Sequence, residues 1–415
     1  MSYEFFIARR YLRSKRKTGF ISLITIFSMG GILIGVAALI ITFAIMNGYE
    51  SELRAKIVGF DAHIRLRQFH GKPGFENYPG VMEQLMQINH VVACAPYIIE
   101  QGIIQSRKVK PQPIIIKGSD AEAEKHVSNI DNYMVEGELN LGITMSETGS
   151  ELPGVVLGKR VAEQMKVGPS DVVFMYSPEG ILEFGGGFQP KINMFRVTGI
   201  FESGLDEFDS KIAIMGIPQA RDFFQYGDKI GGIEIRLDSY EIADPVAYDI
   251  RNLYPYPATT ETWYERNRPL FAWLQNQRWA SSIVLSLIIF VAAFNIISTL
   301  IMVVMEKRKD IGVLKSLGAS SGNIMKIFLF HGVVVGTIGT ILGCIVGYGL
   351  CWSQLKFRWF SLPADIYFIN SLPIEMHVLD FVLISVIALL LSIFAGIYPA
   401  WHASRLDPVV VIRYN

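Results

Sequence analysis

The sequence predicts an α-helical membrane protein with four transmembrane helices and a large α+β domain inserted between helices 1 and 2. Apolar runs at residues 20–46, 279–305, 324–352 and 379–398 are each long enough to cross a hydrocarbon core of roughly 30 Å as a helix. Residues 47–278, between the first two runs, are polar by comparison and carry the alternating patterns of a folded domain. Composition agrees. A chain with 51% hydrophobic and 18% charged residues is apolar for a soluble protein. The balance of 38 basic against 38 acidic residues gives no reason to expect nucleic acid as a partner.

Basic residues orient the spans. Arg9, Arg10, Arg13, Lys15, Arg16 and Lys17 precede the first span, Lys307, Arg308 and Lys309 follow the second, and Arg405 and Arg413 follow the fourth. By the positive-inside rule the segments 1–19, 306–323 and 399–415 are expected in the cytoplasm, and 47–278 and 353–378 on the external or periplasmic side. The first run is too long for a signal-peptide core and has no small-x-small cleavage site, so it reads as an uncleaved anchor.

Within the insert, Asn47 to Lys56 and Trp263 to Arg278 read as polar helical stalks that would pass force between membrane and domain. Strands are expected at residues 63–67, 97–105, 114–117, 155–157, 172–176, 195–201, 212–215 and 233–237. Helices are expected at 80–88, 159–166, 218–226 and 243–253. The domain is large enough for its own core and is expected to divide into two subdomains. The segment Ser177 to Asn193, with Pro178, Pro190 and a Gly185-Gly186-Gly187 run, is a long hairpin connection exposing Ile181, Leu182, Phe184 and Phe188. Those apolar side chains either fold back on the domain or form a protruding loop that binds a partner.

Several chemistries are not supported. No G-x-x-x-x-G-K-[ST] phosphate loop occurs, so ATP work would come from a partner. The seven histidines are scattered without metal-ligand spacing and read as surface or interfacial residues, and three cysteines make no disulfide framework. The spans carry almost no ionisable residues, which disfavours an intramembrane enzyme or an ion-coupled carrier. Gly332, Gly336, Gly339, Gly343 and Gly347 place small residues on adjoining faces of the third helix, where another helix can approach closely. Asn295, Ser298 and Thr299 read as interhelical hydrogen-bonding residues.

The segment Glu306 to Phe328 holds a short amphipathic helix. Ile311, Leu314 and Leu317 recur beside Lys307, Arg308, Asp310 and Lys315, and Gly318 ends it. Such a helix suits either the membrane surface or a groove in a cytosolic partner. The run EKRKDIGVLKSLGAS, from Glu306, resembles the coupling segment of FtsX/MacB-type ABC transporter permeases, and the order of one span, a large insert and three spans matches them. Within that superfamily the chain is most similar to the lipoprotein-releasing permeases, the LolC/LolE family. The resemblance is carried by ARRYLRSKRKTGFISLIT (8–25), IGVAALI (34–40), MNGYESEL (46–53), FNIISTL (294–300), DIYFINSLP (365–373) and YPAWHASRLDPVVVIR (398–413).

The resemblance implies a MacB-like periplasmic domain and a bacterial inner-membrane complex of two permeases, a homodimer or heterodimer, with two soluble LolD-like ATPase subunits that bind the ATP and Mg. It implies extraction of acylated lipoproteins and their delivery to a periplasmic LolA-like carrier by mechanical transmission. This chain would itself hold no cofactor and no catalytic residue. Glu306, Lys307, Arg308, Asp310, Ile311, Leu314, Leu317 and Gly318 would dock the ATPase. Pro178, Ile181, Leu182, Phe184, Phe188 and Pro190 would lie on a carrier-binding loop, and Ala44, Ile45, Met46, Tyr49, Trp279 and Ile283 on a groove wall for acyl chains. Two alternatives stand beside this reading. A MacB-like efflux permease commonly carries a fused N-terminal ATPase, whereas residues 1–19 precede the first span here. An FtsX-like signalling permease, acting on cell-wall hydrolases, usually has a much smaller external domain.

Overall fold

The structure is a computed structural model, and it describes residues 19–69, 74–145, 151–177, 191–360 and 372–406. The described residues form two compact units, an α+β unit holding Glu52–Phe271 and a helical unit holding residues 19–51, 272–360 and 372–406.

In chain order the described elements begin with α1 (Gly19–Phe60), unbroken over 42 residues, whose residues from Glu52 onward pack within the α+β unit. There follow β1 (Ile64–Gln68), α2 (Tyr78–Leu85), β2 (Val91–Gln105), β3 (Gln112–Ser119), α3 (Ala121–Ser128), β4 (Met134–Gly137), β5 (Ile143–Met145) and β6 (Glu151–Gly158). Next come α4 (Lys159–Met165), β7 (Val172–Ser177), β8 (Lys191–Phe201), α5 (Asp206–Asp209), β9 (Ile212–Gly216), α6 (Ile217–Phe223), β10 (Gly232–Leu237), α7 (Ala243–Leu253), β11 (Ala258–Thr262) and α8 (Trp263–Arg266).

The described strands make one sheet in the order β11-β1-β10-β2-β3-β9-β6-β8-β4, with β5 on β6 and β7 bridging β2 and β8. Two pairings, β3 with β9 and β6 with β8, are parallel. The 15-residue β2 pairs with β10, β3 and β7, so one ladder joins the two halves of the described sheet. Side chains from alternating positions fill the core. Ile64 and Leu66 of β1, Ile233 and Ile235 of β10 and Val156, Phe201 and Ile214 from the far half are all buried. Phe60, the last residue of α1, stacks on Phe201 with ring centroids 5.2 Å apart and packs beside Phe208 at 5.0 Å.

The helical unit is built from α1, α9 (Arg268–Glu306), α10 (Arg308–Ser316), α11 (Ser321–Phe357) and α12 (Val378–Ser404). Among the described residues four helices, α1, α9, α11 and α12, are long and apolar enough to cross a membrane. Ile32, Val36 and Ile40 of α1 pack with Ile289, Ala292 and Ile296 of α9 and with Ile384 and Ala388 of α12. Thr299 donates to the Asn295 carbonyl at 2.7 Å and accepts at 2.7 Å from the Ser28 hydroxyl, so Thr299 links α9 to α1.

Of the five small residues of α11, Gly332 faces Leu300 of α9 and Gly396 of α12, and the other four divide between α12 and α1. A Cβ on Gly336 would collide with Ser392 of α12, while one on Gly343 would lie 2.8 Å from the Val36 Cβ and 2.9 Å from the Leu33 carbonyl of α1. Gly339 and Gly347 face Ile32 and Ile40 in the same way. With no hydrophobic effect to drive helices together in lipid, such backbone proximity is what holds them. Gly343→Leu is therefore expected to force α11 from α1 and to lower the melting temperature of the detergent-solubilised protein. Gly349→Ala, where nothing lies within 4 Å, should leave it unchanged. Equal melting temperatures for both variants would refute this packing role.

Candidate functional site

The segment joining α9 to α11 is a separate helix because the backbone breaks at both ends. Lys307 leaves helical geometry at ψ 11°, and Gly318 takes φ +96°, a left-handed conformation open chiefly to glycine. The Ala319 N–H donates to the Leu314 carbonyl and the Gly318 N–H to the Lys315 carbonyl, both at 3.0 Å, which satisfies the carbonyls at the end of α10. Ser320 then caps α11, its Oγ accepting from the Asn323 N–H at 3.3 Å. Gly318 to Gly322 spells G-x-S-x-G, so the expectation that the chain holds no such nucleophile-elbow pattern is corrected at the level of sequence. An elbow lies between a strand and a helix. Here the middle serine lies between two helices and serves as a cap.

The two sides of α10 have different surroundings. Ile311 is 1% exposed and packs with Val303 and Val304 of α9, Ile327 and Phe328 of α11 and Ala400 and Ala403 of α12, with Leu314 against the same cluster. Lys315 Nζ donates to the Ser404 and Leu406 carbonyls at 2.7 and 2.8 Å, tying α10 to the C-terminal end of α12. On the opposite side Leu317 is 80% exposed and Val313 is exposed with it, and the charged Glu306, Lys309 and Asp310 are exposed as well. Thus of the three apolar positions expected to dock a partner, Ile311 and Leu314 face their own bundle and Leu317 faces out. Val313, which the spacing did not single out, joins it. Asp310 pairs with Lys307 at 3.6 Å, and Arg308 is half-buried.

A second site lies at another level of the helical unit. Ile45, Met46, Tyr49 and Glu50 of α1, Trp273, Leu274, Gln277 and Arg278 of α9, and Leu372 and Pro373 enclose a cavity of about 150 Å³. That is below the roughly 300–1,000 Å³ of drug-sized ligand sites. Trp279 and Ile283 do not line it. They are 65% and 68% exposed on the outer face of α9. Asn47 Nδ2 donates to Asp380 at 2.7 Å and its Oδ1 accepts from Arg278, which also lies 3.7 Å from Glu50, so α1, α9 and α12 meet in polar contacts here. Pro178, Ile181, Leu182, Phe184, Phe188 and Pro190 lie outside the described residues. The flanking strands are described, with Ser177 paired to Lys191 and with Ile192 and Met194 exposed on β8.

The α+β unit also holds a group of buried charges that periodicity did not reveal. Asp61 contacts Arg65 at 2.8 Å and Arg266 at 3.1 Å, Arg65 reaches Glu234 at 2.8 Å, and Lys117 bridges Glu234 at 2.7 Å and Glu124 at 2.6 Å. The group borders a cavity of about 310 Å³ walled by Phe60, Ile99, Ile115, Phe208, Ile212 and Ile214 as well. Two histidines expected at surfaces or interfaces, His63 and His331, are buried, and His63 Nδ1 accepts from the Leu237 N–H.

Burial alone would raise the Asp61 carboxyl, but Arg266, Arg65 and Lys117 overcome it and hold the carboxyl down at about 2. Glu124 is likewise lowered against its burial by Lys117 and by hydrogen bonds from Lys117, Ser119 and Ser128. A carboxylate whose folded-state pKa is depressed stabilises the fold above its ordinary pKa and loses that contribution as pH falls toward the depressed value. The amides of β1 and β10 are therefore expected to keep their hydrogen-exchange protection factors from neutral pH down to about 4 and to lose them below that. Equal protection at pH 3 and pH 7 would show that the charges do not stabilise the sheet.

Comparison with known proteins places this architecture. The FtsX-like permease C-terminal family matches residues 282–408, and the MacB-like periplasmic core domain matches residues 25–253. The chain is 32% identical to the lipoprotein-releasing system transmembrane protein LolC of Xylella fastidiosa, over 99% of this chain and 98% of that one. It is 32% identical to LolE of Haemophilus influenzae over 99% of each chain, and 29% identical to LolC of Neisseria meningitidis over 100% of each. Similar from end to end to LolC and LolE proteins alike, the chain belongs to the LolC/LolE family of lipoprotein-releasing system transmembrane proteins.

Proposed function

We propose that this chain is a permease subunit of an ABC transporter that extracts acylated lipoproteins from the outer leaflet of the bacterial inner membrane and passes them to a periplasmic LolA-like carrier. The observation that carries this reading is the match to lipoprotein-releasing proteins over 99% of the chain. On this reading the α+β unit is periplasmic, inserted between the first two spans, and both termini are cytoplasmic. The chain itself is not an enzyme. Soluble LolD-like ATPase subunits bind ATP and Mg and hydrolyse the nucleotide, and a second permease completes the assembly.

The outward face of α10 supplies the ATPase contact, with Val313 and Leu317 as apolar anchors and Glu306, Lys309 and Asp310 around them. Gly318 ends the helix there, while Ile311 and Leu314 hold it to the bundle. A conformational change requires different contacts in the two nucleotide states, and α10 would pass that difference to α9, α11 and α12. The cavity beside Ile45, Met46 and Tyr49 is too small for a pair of acyl chains, so it would form one wall of a groove that the second permease closes. The connection between β7 and β8 would recruit the carrier through Ile181, Leu182, Phe184 and Phe188.

Leu317→Glu is expected to abolish co-purification of the ATPase while leaving membrane insertion intact. Ile311→Ala should instead destabilise the permease by about 2–5 kcal/mol, as for other buried aliphatic truncations. Retention of the ATPase by Leu317→Glu would remove α10 from the interface. Deleting residues 184–188 should abolish carrier crosslinking with ATP hydrolysis retained, and undiminished crosslinking would refute a carrier role for that connection.

A further inference from the structure

The buried charges lie where the chain enters and leaves the sheet. Asp61 directly follows α1, and Arg266 ends α8, two residues ahead of α9. The two side chains meet at 3.1 Å, although 205 positions separate them in sequence. Arg266 also donates to the Ala62 carbonyl and, at 3.1 Å, to the Glu261 carbonyl, so its guanidinium spans the residues after α1 and those of β11.

Further contacts reinforce the same place. Arg236 of β10 donates to the Val58 carbonyl in the last turn of α1 at 2.7 Å, and the Trp263 N–H donates to the His63 carbonyl at 2.8 Å. Thr262 and Glu265 form a reciprocal capping box, which sets the start of α8 directly on the end of β11. From Asp61 the charges continue through Arg65, Glu234 and Lys117 to Glu124. Three carboxylates and three cations join two helix termini, three strands and α3. An interior ionic group is a poor source of stability compared with well-packed apolar residues, whereas separating its members leaves uncompensated buried charges, so displacement of either helix terminus from the sheet is opposed.

We propose that Asp61 and Arg266 are positioning residues for lipoprotein release: their ion pair locks the end of α1 to the start of the α8–α9 segment, so that movement of either helix reaches the sheet as one displacement. This rests on the transport reading above. Without the lock the two helices would move separately, and the work of nucleotide-driven closure would dissipate between them.

The test uses the complete permease–ATPase complex in proteoliposomes. Removing Arg266 alone would strand a buried carboxylate, so the informative variant is the double substitution Asp61→Asn/Arg266→Gln. It leaves Arg65 and Lys117 balanced by Glu234 and Glu124. The expected result is ATP hydrolysis within about two-fold of the unmodified complex, an unchanged melting temperature, and roughly ten-fold less lipoprotein released per ATP. Arg266→Lys, which keeps the charge against Asp61, should restore release to within about three-fold. Release equal to that of the unmodified complex would overturn the proposal. So would hydrolysis and release falling in proportion, which is the signature of a structural role only. An unmodified complex that hydrolyses ATP and releases no lipoprotein would overturn the transport reading instead. The lock is then read from the ATP-driven change in distance between spin labels at the exposed residues Val92 and Trp279. With the lock intact the two labels move together and that change is small, so the double variant must enlarge it for the proposal to stand, and an unaltered change would overturn it.

Discussion

A carboxylate withdrawn from water needs a counter-charge within reach, and that requirement organises the α+β unit. Asp61, Glu234 and Glu124 are buried and each meets a cation, Asp61 from Arg266 at 205 positions' separation, Glu234 from Lys117 at 117, and Glu124 from Lys117 at seven. The geometry is demanding because two of the three cations each serve two carboxylates. Lys117 lies between Glu124 and Glu234, and Arg65 lies between Asp61 and Glu234. Moving one strand by a residue would turn its charged side chain to the opposite face and leave the partners unpaired. The charges therefore fix the register of β1, β3 and β10, and through Asp61 and Arg266 they fix where the helices join that register.

The helical unit solves a different problem, since lipid offers no gain from burying apolar side chains against one another. There the close approach of backbones does the work, and α11 has glycines where its neighbours need the space. Gly336 admits Ser392 of α12, and Gly339, Gly343 and Gly347 admit Ile32, Val36 and Ile40 of α1. A helix with two glycine faces packs against two neighbours at once. The apolar cluster around Ile311 then closes one end of the same bundle, and Lys315 holds α10 to the last carbonyls of α12.

Much of this was legible in the sequence because it depends on local pattern. The four long helices follow from apolar length, and the strands around Ile64, Ile98, Ile116, Val156, Val173, Val197, Ile214 and Ile235 follow from alternation. The end of α10 follows from Gly318. Other elements gave no such signal. Helix α3, AEAEKHVS, has too few apolar residues to show a stripe, and it is marked chiefly by Asp120, whose side chain accepts from the Glu122 and Ala123 N–H groups. β4, β5 and β11 are short and rich in polar or exposed positions, so pairing with a neighbour defines them. The ionic group was out of reach for a stronger reason. Glu234 between two isoleucines reads as an outward strand position, and only the folded chain brings Arg65 and Lys117 beside it.

The amphipathic reading of α10 shows how a correct pattern can be assigned to the wrong surface. Residues spaced by three advance by about 300° in an α-helix, so the series Ile311, Leu314, Leu317 drifts by about 60° at each step. By its third member it has turned roughly 120° from the first. Ile311 therefore points into the bundle, Leu314 lies along its edge, and Leu317 points away from it with Val313, only about 40° from it around the axis. The apolar series is two anchors facing different ways. On the proposed reading this is what a coupling element requires. A helix bound only to its partner would follow the ATPase and move nothing else, whereas one packed on both sides must carry α9, α11 and α12 with it.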